Sequence, residues 1–146
     1  MSDKTLEEHL RHSVRKLEYR VDTLYKHLFE MVHAHGSSLG KEADALLIKL
    51  EDTAVRIQDA VKCGKTGPLG VLFAASEISD ITSDLRSVKF YTDNRYAVSI
   101  VFILAEDIAN DLDDLARNMI KEEQGRNSEL KEDIKKLNDK IDHIRR

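Results

Sequence analysis

Apolar residues in this chain recur at alternating steps of four and three, and they do so in every long segment. Leu10, Val14, Leu17, Val21, Leu24, Leu28 and Met31 keep the rhythm without a miss, as do Ala43, Leu47, Leu50, Ala54, Ile57 and Val61. Val71, Ala74, Ile78, Ile81, Leu85 and Val88 repeat it with the steps in the other order. Such spacing places one apolar stripe along an α-helix and is incompatible with the two-residue period of a strand. The chain is therefore expected to be all-α.

The stretch Tyr96 to Ile120 is the most apolar over its length and is expected to be the core helix. From Ala97 to Ala105 only Ser99 is polar, so this half has no evident solvent face and should be enclosed by neighbours. Its second half narrows to Ala105, Ile108, Leu112, Leu115 and Met119.

Punctuation between the stripes divides the chain. Thr5 is placed to cap a first helix over 5–35, with Gly36 as its left-handed terminator, His35 beside its last carbonyls and Ser37-Ser38 as the turn. A second helix is expected over 39–62, its stripe widened by Leu46, Ile48 and Val55. Cys63-Gly64-Lys65-Thr66-Gly67 breaks it, and Pro68 suits the first turn of a third helix over 68–91. Thr92 or Asp93 should cap a fourth over 93–123. Connections this short make consecutive helices antiparallel neighbours, so residues 1–124 read as an antiparallel up-down-up-down four-helix bundle. Gly125, with Arg126, Asn127 and Ser128, interrupts the phase, and residues 125–146 read as an additional C-terminal amphipathic, coiled-coil-like helix.

That last stripe, Leu130, Ile134, Leu137, Ile141 and Ile144, is narrow and flanked by seven basic and five acidic residues between Arg126 and Arg146. A helix of two to three heptads is marginal in water by itself, so the stripe needs a partner, either on the end of its own bundle or, as its narrow width favours, on another chain, a different protein or a second copy.

Composition narrows the functional classes. A formal charge of −4 and a pI near 5.9 argue against a general nucleic-acid binder. One cysteine, Cys63, makes no intramolecular disulfide, and MSDKTLEEHL has no apolar signal core, which together point to the cytoplasm. The longest apolar run is about half of the roughly 20 residues a membrane span requires.

The acids of the third and fourth helices are the candidate chemistry. Asp107, Asp111 and Asp114 lie at i, i+4 and i+7, and Glu77, Asp80 and Asp84 lie at similar spacing on the preceding helix. If the two faces met, they would form an oxygen-rich site for a divalent or ferric metal; otherwise they are solvated faces. The run ILAEDIANDLDDLARNM resembles the acidic helix of the phosphate-uptake regulator family, whose Glu/Asp-x-x-x-Asp motifs bind metal clusters, and Asp107-x-x-x-Asp111 fits that spacing. The resemblance covers about 20 residues and implies a metal- or phosphate-linked regulator; the repeated second half of full-length members is missing.

Glu77-Ile-Ser-Asp80 resembles the Glu-x-x-Asp half of the magnesium site of all-α nucleotide pyrophosphohydrolases, but no Glu-x-x-Glu stands on the second helix to complete it. Glu30-Met-Val-His33 is a single Glu-x-x-His, whereas di-iron bundles need two. Gly64-Lys65-Thr66 lacks the glycine five residues earlier that a phosphate loop needs, since Asp59 stands there. No nucleophile, base and orienting group assemble, so the leading expectation is a non-enzymatic interaction or assembly protein with no cofactor.

Overall fold

The computed structural model describes residues 2–34 and 39–145, with side chains described over 7–31 and 39–144. Among these residues there are four helices and no strands: α1 (Ser2–Ala34), α2 (Lys41–Lys62), α3 (Pro68–Ser87) and α4 (Arg95–Arg145). The fold class is all-α. Each helix packs on two others, α1 on α2 and α4, and α3 on α2 and α4. Ser13 meets Asn118, Lys16 meets Asp111, Arg20 meets Asp107 and His27 meets Ala97, so α4 runs antiparallel to α1.

The four-three stripes are the core. Leu17, Val21, Leu24, Leu28 and Met31 of α1 are buried, as are Leu47 and Leu50 of α2, Ile78, Ile81 and Leu85 of α3, and Val101, Ile108, Leu112 and Leu115 of α4. Alanines 43, 54, 105 and 116 have no accessible surface, and these small side chains let neighbouring backbones come close. Two expectations about the width of the stripes are corrected. Ile48 is exposed, on the outer side of α2. Ile103 is 57 % exposed, so even the most apolar part of α4 keeps a solvent face, because only two helices pack against it.

Several ends also differ from the sequence reading. Helix α1 begins at Ser2, which puts Thr5 inside it, while His35, Gly36, Ser37 and Ser38 lie outside the described residues. Helix α2 ends in a Schellman motif: Gly64 has φ +65°, its N–H donates to the Val61 carbonyl, and the Lys65 N–H donates to the Ala60 carbonyl. Helix α3 stops at Ser87, after which the chain is extended at Val88. The cap of α4 is Asn94, not Thr92 or Asp93. Its Oδ1 accepts from the Ala97 N–H, and Thr92 Oγ1 in turn accepts from the Asn94 N–H.

The largest correction concerns the C-terminal segment. Residues 125–145 are helical, but as the direct continuation of α4, which is 51 residues long and so spans about 76 Å. The expected break at Gly125 does not occur. A glycine inside a helix costs only about 1 kcal/mol relative to alanine. It is flanked here by strong helix formers and bridged by an ion pair between Glu122 and Arg126. Gly125→Ala is accordingly expected to firm up the helix, slowing amide hydrogen exchange beyond residue 126 by roughly fivefold. Unchanged exchange there would show that Gly125 is not the weak link.

Candidate functional site

Two features stand out: a charged seam between α1 and α4, and the free end of α4.

The seam arises because the two helices put opposite charges beside their apolar stripes. Lys16 and Arg20 are one turn apart on α1, and Asp107 and Asp111 one turn apart on α4, so the antiparallel packing brings them together. Arg20 binds Asp107 through its guanidinium and holds its Nε 3.7 Å from Asp111 Oδ2. Lys16 Nζ lies 3.3 Å from Asp111 Oδ1. Asn118 Nδ2 donates to Ser13 Oγ at 3.0 Å further along, and at the other end the imidazole of His27 bonds the Ala97 carbonyl at 2.8 Å.

Asp111 is only 5 % exposed, and its Oδ2 is buried with no hydrogen bond. Burial raises its pKa above the ordinary carboxylate value; the hydrogen bond and charge of Lys16 and the charge of Arg20 pull it back down, and the charge of Asp107 adds to the rise. An open cleft of about 390 Å³ lies beside it, lined by His12, Ser13, Lys16, Asp111, Asp114, Arg117, Asn118 and Lys121. Basic and acidic groups both line this cleft.

The six acids singled out in the sequence do not converge. Asp107 and Asp111 face α1, where Arg20 and Lys16 occupy them; Asp114 borders the cleft. Glu77, Asp80 and Asp84 are exposed on α3, clear of its buried stripe. Among the described residues no group of three histidine, cysteine, aspartate or glutamate side chains is placed to hold a metal ion. The two acidic faces do not meet, since Asp107 and Asp111 turn toward the cations of α1. The solvated reading holds for Glu77, Asp80, Asp84 and Asp114, which are exposed, and is corrected at Asp111, which is buried. Sequence spacing located Asp107 and Asp111 but not Lys16, Arg20, Ser13 or His27; a clue was available in Lys16 and Arg20 at i, i+4 beside the α1 stripe. Glu30 is exposed, and His33 lies outside the described side chains.

The free end of α4 is the second feature. Every side chain from Arg126 to Ile144 is exposed, including Leu130, Ile134, Leu137, Ile141 and Ile144, which are 39–81 % accessible. These five residues form a single exposed stripe along the last part of α4. No described helix is long and apolar enough to cross a membrane.

Compared with known proteins, the chain matches no family model, no curated protein and no solved structure.

Proposed function

We propose that this chain is a non-enzymatic, cytoplasmic interaction or assembly protein: an up-down-up-down bundle that presents the free end of α4 for helix–helix contact with another polypeptide. The observation that carries this reading is the exposed stripe of Leu130, Ile134, Leu137, Ile141 and Ile144 on a helix projecting past the core. Such a stripe in water is unfavourable by roughly 25 cal/mol for each Å² of apolar surface that a partner would cover. Its narrow width and mixed-sign flanks suit a helical partner better than a small ligand. The pairing of Asp107 and Asp111 with α1 supports a structural role for the charged seam.

In-cell cross-linking tests the reading. Lys131, Lys135, Lys136 and Lys140 surround the stripe and should link to another polypeptide, whether a different protein or a second copy. Leu137→Asp puts a charge in the middle of the stripe and is expected to remove those links while leaving the helical content of the core intact. Links that persist in the variant, or none in the parent chain, would overturn it.

A further inference from the structure

The stripe on the free end of α4 is in phase with the core-facing stripe. Met119 and Leu130 are eleven residues apart, which is three turns plus about 20° at 3.6 residues per turn. The side of α4 that packs on α1 and α3 up to Met119 is thus the same side that carries Leu130, Ile134, Leu137, Ile141 and Ile144 in the open.

Resting on the interaction reading above, we propose that the occupant of this face is the free end of a second copy, lying antiparallel. In the register that uses the stripe fully, Ile134 of one copy lies against Leu137 of the other, Leu130 against Ile141, and Asn127 against Ile144. The open stripe pairs end to end with itself.

Two observations choose this orientation. The first is charge. Asp133 and Lys140 are seven residues apart on the same flank of the stripe, and the antiparallel register sets Asp133 of each copy beside Lys140 of the other, giving two opposite-charge contacts. The other flank brings Lys131 against the uncharged Asn138. A parallel pair would instead set Arg126 beside Lys131 twice, with no opposite-charge contact to compensate.

The second is space. Coiled helices lie 8–10 Å apart, and in a parallel pair the two α4 helices would run side by side through their core segments as well. The side they would share is already filled there by α1 and α3. In the antiparallel pair the two cores sit at opposite ends, so the filled faces of the two core segments are not set against each other. Isoleucine alternating with leucine also occurs in parallel two-stranded coils, but here the filled face and the flanking charges reverse that choice.

The test uses the full chain. Native mass spectrometry and light scattering at tens of micromolar are expected to give a dimer. A spin label on Gln124→Cys, in a Cys63→Ser background that removes the exposed native thiol, should report labels separated by about 35 Å along the helix axes, against about 10 Å between axes in a parallel pair. Asp133→Lys and Lys140→Asp should each weaken the dimer by about tenfold, and the double exchange should restore it to within about threefold. A monomer at these concentrations, a short label separation, or failure of the double exchange to restore association would overturn the proposal. A purified monomer whose Leu137-dependent cross-links persist in cells would overturn the self-association alone. Absence of both would overturn the interaction reading too.

Discussion

Lys16→Met is expected to destabilise the folded chain by about 3 kcal/mol at neutral pH, because it strips a hydrogen-bonding cation from a carboxylate that has little water to fall back on. Asp111 is almost fully enclosed, and Lys16 is the group that most opposes the rise in its pKa caused by burial. Arg20 remains, but its Nε is 3.7 Å from Asp111 Oδ2 and its guanidinium is committed to Asp107. Methionine keeps most of the aliphatic stem, so lost packing contributes little.

The pH dependence separates charge from shape. An acid whose pKa is raised by folding contributes stability that is complete below its unfolded value of 3.8 and is lost as pH rises through the folded value. Removing Lys16 raises the folded value further. The deficit of the variant should therefore be largest at pH 7 and shrink toward pH 4, where Asp111 takes up a proton in both proteins. Urea unfolding at the two pH values measures this. An equal deficit at both would assign the loss to packing, whereas recovery in the Lys16→Met/Asp111→Asn double variant would assign it to the stranded charge.

Gly40→Ala has a comparable expected effect for an unrelated reason. Gly40 precedes α2 with φ +116° and ψ 139°, a backbone conformation that is essentially restricted to glycine. A Cβ there would sit 2.7 Å from Tyr91 Cδ2 and 3.2 Å from the Lys89 carbonyl oxygen. The contact occurs because the α3–α4 connection is laid across the start of α2, where the Tyr91 N–H donates to the Leu39 carbonyl at 2.8 Å. Backbone strain and the displaced connection together should cost about 3 kcal/mol, or roughly a 10 °C fall in melting temperature for a chain of this size. Tyr91→Ala relieves the ring contact but not the backbone. A Gly40→Ala loss that vanished in that background would show that φ is not the cause.

The parts of this structure that could be read from the sequence are those that depend on one helix at a time. The stripes around Leu24, Leu50, Ile81 and Leu112 mark the core because burial on a helix has a fixed period. What depends on two helices was not readable. Nothing in the spacing of Asp107 and Asp111 shows that Lys16 and Arg20 arrive opposite them, so a solvated or metal-binding face was the natural reading. The helix ends are poorly marked in the sequence for a local reason: Thr92, Asp93 and Asn94 are all competent caps, and only the backbone path selects Asn94. Gly125 does not break α4, because the cost of one glycine inside a helix is only about 1 kcal/mol. The exposed stripe beyond it was legible as a stripe. That it continues the core-facing side of α4 appeared only once the helix proved unbroken.

The continuity of α4 also bears on how its end comes to be helical at all. Starting a helix is the costly step, since three residues must be fixed before the first hydrogen bond forms, while each later residue adds a bond of its own. The buried portion of α4 has already met that cost through its packing on α1 and α3. The residues past Gly125 only have to propagate an existing helix, one bond at a time, and their stripe is therefore shaped before any partner arrives. A peptide of residues 125–146 would have to initiate its own helix, so it should be less helical than the same residues in the intact chain and a weaker competitor for whatever that chain binds.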